Sequence, residues 1–371
     1  MKANAVFLVA IIVVASAVAL ARHPEVRVHE IARTGGSGFG QTAASAEPAT
    51  RTQVGVRGSG FTVNEAPVFL LGCSYYGGLG GDAKSWQADL DDLERAGFNW
   101  IRVWATWGAY GHDVSAVDAD GRPREPYLEK LKSLVVECDR RGIIVDVTLS
   151  RGNGSTGPAR LQSQEAHRRA VETLVTALKS RQNWYLDLAN ERNIRDVRFV
   201  GIADLKVLRD RVRELDPSRL VTASHGGDLS ADDLRKYVID AALDFVSPHR
   251  PRDRESPGQT EQRAREWLHA MESLGRVVPI HFQEPFRRGY QGYAPDASDY
   301  QTDLRGALVG GAAGWCFHNG SSRGAADEQP RRSFDLSVNR LWVQLDPVEL
   351  DAVSRLHELV SRAAERNAAK P

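Results

Sequence analysis

From Val68 onward one unit recurs along the chain: a short run rich in Val, Ile, Leu or aromatic residues, a loop, and an amphipathic stretch with apolar residues at helical spacing. Eight such units can be drawn, with strands expected near 68 to 73, 99 to 104, 143 to 149, 184 to 190, 219 to 224, 244 to 248, 277 to 283 and 312 to 317. The helices are clearest at 84 to 96, 125 to 141, 161 to 181, 202 to 215, 256 to 274 and 346 to 367. Strands joined by helical crossovers run parallel, in an open doubly wound sheet or a closed barrel. Eight repeats favour closure. The segment Cys73-Ser74-Tyr75-Tyr76-Gly77-Gly78 after the first strand also lacks the early, spaced glycines of a dinucleotide-binding open sheet. The expected fold is therefore an α/β (β/α)8 TIM barrel. Ahead of it, Val54 to Val68 alternates apolar and polar residues around Gly58-Ser59-Gly60 and Asn64-Glu65, which predicts a short N-terminal β-hairpin able to plug the barrel bottom.

The N-terminus reads as a targeting segment: Lys2, an apolar run from Ala5 to Leu20, and the small-residue site Ala19-Leu20-Ala21. Residues 1–21 are expected to be a signal peptide cleaved after Ala21, which makes the product secreted or periplasmic. An uncleaved anchor is the alternative and would be the tie to a membrane. Residues 22–52, with Thr34-Gly35-Gly36-Ser37-Gly38 and Ala43-Ala44-Ser45-Ala46, read as a flexible linker, leaving 53–371 for the barrel domain. Forty-eight basic residues balance forty-eight acidic ones, so no net field draws the chain to nucleic acid or an anionic surface, and an uncharged partner such as a sugar suits it better. Cys73, Cys138 and Cys316 are odd in number and scattered, which favours buried free thiols; a Cys73–Cys316 bridge is the less favoured option.

In a barrel of this kind the chemistry sits where strands hand over to the following loops. The fourth strand run ends Asp187-Leu188-Ala189-Asn190-Glu191, and the seventh ends His281-Phe282-Gln283-Glu284-Pro285. Each ends on a glutamate, and these two strands face one another across the mouth. Two carboxyl groups flanking a glycosidic bond are the minimum equipment for its hydrolysis: one protonates the departing oxygen, the other attacks the anomeric carbon or activates water. Whichever of the two serves as the acid is expected to have its pKa raised by burial and by the neighbouring anion.

The sequence resembles the clan A glycoside hydrolases, most closely the family 5 cellulase and mannanase type, over residues 54 to about 320. That resemblance implies a retaining glycosidase that cleaves O-glycosidic bonds of a β-linked oligo- or polysaccharide, with Asn190-Glu191 at the acid/base position and Glu284 as the nucleophile. It also places Arg102, His249 and Trp315 at the ends of strands 2, 6 and 8, where they would contact substrate or nucleophile. The departures are Arg192 in place of a frequent proline, Arg250-Pro251 where an aromatic often follows the histidine, and the strand 8 ending Trp315-Cys316-Phe317-His318. They fall in substrate-facing loops and bear on specificity more than on reaction type.

Each assignment has a plainer rival. Glu191 could pair with Arg192 and Arg195 on a surface, Glu284 could cap a loop, and Asn190 could form an Asx turn. Trp315 reads as a platform for a sugar ring or as barrel filling, and His249 as a substrate contact or a partner of loop carbonyls. Trp104 and Tyr75, with Trp107 and Tyr76, are either sugar subsites or core. Arg250, Arg252, Arg254, Arg287 and Arg288 read as a solvated rim, with recognition of an acidic sugar as the sharper alternative. His112, His225, His281 and His318 lack metal-ligand spacing, so neither metal nor other cofactor is expected. A monomer is expected. A carbohydrate-binding barrel without catalysis, or a transglycosylase using the same glutamates, would share every feature so far described.

Overall fold

The computed structural model describes residues 50–154, 157–286, 293–318 and 334–368. The signal peptide, most of the linker, and Arg287 and Arg288 lie outside the described residues.

The apolar runs form eight parallel strands: β1 (Leu70–Ser74), β2 (Trp100–Trp104), β3 (Ile144–Thr148), β4 (Trp184–Asp187), β5 (Val221–Thr222, resuming at Ser224–Gly226), β6 (Ser247–His249), β7 (His281–Phe282) and β8 (Gly314–Phe317). Hydrogen bonding runs in sequence from β1 to β5, and Ser224 to Gly226 pair with Ser247 to His249. Single bridges Val246↔Ile280 and His249↔Glu284 join β6 to β7. Pairing of β7 with β8, and of β8 with β1 through Gly314↔Leu70 to Phe317↔Cys73, completes the ring. The expected (β/α)8 barrel is thus the fold.

Among the described residues eight α-helices surround it: α1 (Ala83–Arg95), α2 (Tyr127–Arg140), α3 (Gln164–Leu178), α4 (Ile202–Leu215), α5 (Ala231–Arg235, continued by a π-turn over Lys236–Asp240), α6 (Ser256–Ser273), α7 (Ala297–Gly310) and α8 (Pro347–Ala368). Local chemistry sets their starts: Asp82 and Ser163 cap α1 and α3 by accepting from backbone N–H groups three residues on. Their apolar faces, Trp86, Leu90 and Leu93 on α1 for example, cover the outer surface of the barrel. None of the described helices is long and apolar enough to cross a membrane.

Below the barrel the expected hairpin is a three-stranded antiparallel sheet, Val54–Arg57, Gly60–Val63 and Ala66–Val68. The extra strand follows from Asn64 and Glu65, both at positive φ (49° and 67°), which turn the chain back a second time. Phe61 projects from this sheet into the barrel, edge-on to Phe245 (5.0 Å) and His281 (5.8 Å). Residues 50–52, assigned above to the linker, are tied to α2: Asp139 accepts from the backbone N–H groups of Arg51 and Thr52, the latter at 2.9 Å. Residues 50–52 thus pack with the barrel.

Inside the barrel an apolar lower layer of Phe61, Leu70, Trp100, Ile144, Tyr185, Phe245 and Cys316 supports a polar upper layer. Gly314 makes this possible, since a Cβ there would lie 2.3 Å from the ring of His281. Cys316 belongs to that inner layer while Cys73 packs with the outer core, so the two thiols point to opposite faces of the sheet. All three cysteines are free and buried.

Candidate active site

Alternation along β2 turns Trp100, Arg102 and Trp104 inward, one above another. Arg102 is fully buried, a position tenable for a guanidinium only when every face is paired. Its Nε donates to Thr148 Oγ1 (3.0 Å) and lies 3.3 Å from Asp146 Oδ2; its Nη2 donates to Asp187 Oδ2 (2.8 Å) and Asn190 Oδ1 (3.0 Å). The remaining nitrogen, Nη1, donates to Glu284 Oε1 at 2.7 Å. Burial disfavours the charged guanidinium, but the field of Asp146, Tyr76, Asp187 and Glu284 outweighs it and holds Arg102 firmly protonated. Asp146, itself pushed up by burial, accepts from Gln283 Nε2 at 2.6 Å and Tyr185 Oη at 3.2 Å.

Glu284 and Glu191 rise above this layer from opposite sides. Past β4 the chain turns sharply, and Glu191 sits in the left-handed region (φ 45°) with its N–H donated to Ser224 Oγ at 3.0 Å. His249 Nδ1 lies between the carboxylates, 3.2 Å from Glu191 Oε1 and 3.5 Å from Glu284 Oε2. Each carboxylate offers an oxygen within 4.8 Å of the other and of the histidine.

Four further side chains close the group. Tyr76 Oη donates to Glu284 Oε1 at 2.8 Å, and His318 Nε2 lies 3.5 Å from Glu284 Oε2. Arg252 Nη2 donates to Glu284 Oε2 at 2.6 Å and reaches Glu191 Oε1 at 3.3 Å. Arg198, from the loop after β4, donates to Glu191 Oε2. Burial pushes the Glu284 carboxyl up, but His249, His318, Arg252 and Arg102 overcome it and hold it well below the usual carboxylate range. Glu191 departs from expectation. Burial again acts upward, yet the hydrogen bond from His249 and the Arg252 guanidinium leave this carboxyl below its ordinary value as well. The free protein therefore carries both glutamates ionised, because the loops after β4 and β6 bring cations to a group that strand position alone would leave desolvated.

Of the residues singled out in the sequence, Arg102, Asn190, Glu191, His249 and Glu284 come together, with Asn190 fixed by Arg102. Trp104 borders them, its ring 5.4 Å from Tyr76 and 5.5 Å from the Arg102 guanidinium. Two do not join. Trp315 is 0% exposed and donates its indole N–H to Asp303 on α7 at 2.7 Å, so it faces the helix layer and offers no sugar platform. Tyr75 likewise points outward and donates to Asp89 on α1 at 2.9 Å. Alternation along the strands accounts for both: Tyr76 lies two residues beyond inward-facing Ser74 and His318 two residues beyond inward-facing Cys316, so these two occupy the mouth instead. Of the presumed rim, Arg250 is buried, paired with Asp228 and donating to Ser256 O at 3.0 Å, and Arg254 lies 5.8 Å from the ring of Tyr293. Arg198 gave no signal in the sequence beyond lying in the loop after β4. Asp146 and Asp187, single acids in apolar strand runs, were a legible sign of a buried cation.

Glu191, His249 and Glu284 are the one set of described residues that could present three ligand atoms to a metal ion. Their oxygens already accept from Arg102, Arg198 and Arg252, so a dication would meet like charge.

Residues 57–239 match the family model for Cellulase (glycosyl hydrolase family 5). The chain carries a glycosyl hydrolase family 5 domain. With that domain goes the enzyme class expected above, a glycosidase acting on O-glycosyl compounds. The matched span contains Arg102, Asn190 and Glu191; His249 and Glu284 lie beyond it, and ring closure is what brings them to those residues. Among solved structures, a glycoside hydrolase family 5 protein from Bacteroides vulgatus ATCC 8482 aligns at TM-score 0.60 and 15% identity, over 86% of this chain and 72% of that one. The endo-1,4-beta-mannanase from Rhizomucor miehei aligns at TM-score 0.58 and 13% identity (84% and 99%). Beta-mannanase from the blue mussel Mytilus edulis aligns at 0.51 and 15% (83% and 97%). Of a second Bacteroides vulgatus chain, this one spans only 62%. No curated protein matches the sequence. At such identities these likenesses speak for the fold of the family 5 domain alone.

Proposed function

We propose that the protein hydrolyses a β-linked oligo- or polysaccharide with retention of anomeric configuration, Glu284 attacking the anomeric carbon and Glu191 serving as acid and then base. The observation that carries this reading is the convergence of the two carboxylates, each with an oxygen within 4.8 Å of the other, which suits the closely paired carboxyl groups of retaining enzymes (~5–5.5 Å) better than the ~6.5–9.5 Å of inverting ones. Glu284 suits the nucleophile because Arg102 and Tyr76 keep it ionised and aimed. Asn190 presents its amide nitrogen to the sugar: the guanidinium of Arg102 is a donor only and so claims the amide oxygen. In the first step a bond forms between a Glu284 oxygen and the anomeric carbon while the leaving oxygen takes the Glu191 proton. In the second, Glu191 removes a proton from water, which displaces the ester. A mannanase and a beta-mannanase among structures of the same fold support a β-linked substrate. The N-terminal Lys2 and apolar segment support export, to the periplasm or beyond.

The test is Glu284→Gln on an aryl β-glycoside, with the wild-type product followed by proton NMR before mutarotation. Loss of turnover by a factor of at least ~10³ and a β product at first appearance are expected. Near-full activity, or an α product, would overturn the assignment. Transfer products formed with added sugar would mark a transglycosylase using the same pair.

A further inference from the structure

We propose that the substrate carries an acidic group, a carboxylate or a sulfate ester, beside the bond to be cleaved, and that this group draws Arg252 and Arg198 off the two glutamates. The inference rests on Glu191 and Glu284 being the reacting pair.

The argument starts from occupancy. A single nitrogen, Arg252 Nη2, reaches Glu284 Oε2 at 2.6 Å and Glu191 Oε1 at 3.3 Å, so it spans the gap in which an anomeric carbon must sit. Arg198 approaches Glu191 from the other loop and is itself held by Asp196, Nη2 to Oδ2 at 2.7 Å. Any sugar that reaches the glutamates must displace Arg252. Both arginine side chains are only 15% exposed, so a guanidinium moved off its carboxylate would not be freely rehydrated. A neutral hydroxyl would accept from the guanidinium without supplying the opposite charge it gives up, whereas a carboxylate or sulfate replaces the ion pair in kind. Two guanidinium groups on separate loops can accept such a group from two sides.

The proton requirement leads to the same place. The first step needs Glu191 protonated, and the free protein surrounds it with His249, Arg198 and Arg252, all of which favour the anion and outweigh burial and Glu284. A substrate anion that takes the two arginines returns Glu191 to the influence of burial and Glu284, both of which favour the acid form. Substrate binding would then load the proton that the reaction uses. The zero net charge of the chain is no objection, since recognition depends on the charges within a few ångströms of the bond.

The experiment uses the full chain and aryl β-glycosides in the gluco, galacto and manno series, each as hydroxymethyl, 6-carboxylate and 6-sulfate. Within one series, kcat/KM for an acidic member should exceed that for the neutral one by at least tenfold, and the better arm distinguishes carboxylate from sulfate. In Arg252→Met and in Arg198→Met the ratio should fall toward one; being internal to each variant, it is independent of the fraction folded. Calorimetric titration of the corresponding free sugars onto the wild-type protein should show the same order. Neutral members cleaved or bound as well as acidic ones, a ratio unchanged in both variants, or no acidic sugar bound at all would overturn the proposal. Turnover surviving in Glu284→Gln would instead overturn the catalytic pair beneath it.

Discussion

Arg102 donates to Glu284 at 2.7 Å from a position with no solvent exposure, so one buried cation directs the glutamate and joins His249, His318 and Arg252 in keeping it ionised. The same guanidinium holds Asp187 and Asn190, which ties strands 2, 4 and 7 together at the level of the reaction. Arg102→Met should cost about 3–5 kcal/mol of stability, the usual result of stripping one partner from a buried ionic group, read from urea unfolding. Arg102→Lys should recover only part of this, because one ammonium cannot address three acceptors in a plane.

Tyr76 offers a gentler cut at the same carboxylate. Tyr76→Phe keeps the ring against Trp104 and Trp107 and removes only the hydroxyl 2.8 Å from Glu284. A hydrogen bond to a charged group contributes roughly 1.5–3 kcal/mol, so kcat/KM on an aryl glycoside should drop by about ten- to a hundredfold. The melting temperature should change little.

Glu191 must be protonated to act as the acid, yet His249, Arg252 and Arg198 hold it below its ordinary pKa in the free protein. On a neutral aryl glycoside kcat/KM should therefore be greatest in acid and fall as pH rises. Arg198→Met removes one cation, raises the Glu191 pKa, and should carry the descending limb about one pH unit or more toward alkaline values. A pH profile of the two proteins decides this; an unmoved limb would contradict it. The stability contribution has the opposite limb. Glu191 and Glu284 are depressed in the folded state, so their stabilisation is fully present above the unfolded value of about 4.3 and lost as pH falls below it.

Asp303 behaves the other way. Buried behind Trp315, it is pushed up to about 7 by desolvation, only partly offset by the bonds from Trp315 and Thr260. A raised folded pKa means stabilisation that is whole below the unfolded value of about 3.9 and lost as pH climbs through 7. The full swing is on the order of 4 kcal/mol by linkage. Asp303→Asn keeps the acceptor for the indole, removes the titration, and should flatten the fall in melting temperature between pH 5 and pH 8.

The barrel was legible because strand and helix periodicities alternate with few interruptions. Helix 202 to 215 was placed to the residue, and β2 and β3 to within one residue at each end. A helix was expected after every strand, but α5 and α7 were given no bounds; the five residues of α5, with a capping box at Ser230 and Asp233, carry no periodic signal. The ends of β4 and β7 marked Glu191 and Glu284 for the same reason that the strands were readable: a charge terminating an apolar run must go where charges are tolerated. Facing was not legible. Tyr75 and Tyr76 are adjacent, and only the register with β2 decides that Tyr76 is the one turned into the mouth. Nor were the loop cations, since Arg198 arrives through seven residues of irregular chain after Glu191. The sequence could list Arg252 among basic residues, but its span across the gap depends on the fold of the loop beyond Pro251.

The backbone of Glu191 lies at φ 45°, a conformation in which a side chain costs about 1 kcal/mol and glycine costs nothing. Any selection that rewards heat resistance alone should thus drift toward glycine at this site and deliver a sturdier but inert protein. Engineering for durability would have to be coupled at every round to a screen for turnover, because here endurance and chemistry are competing demands on a single residue.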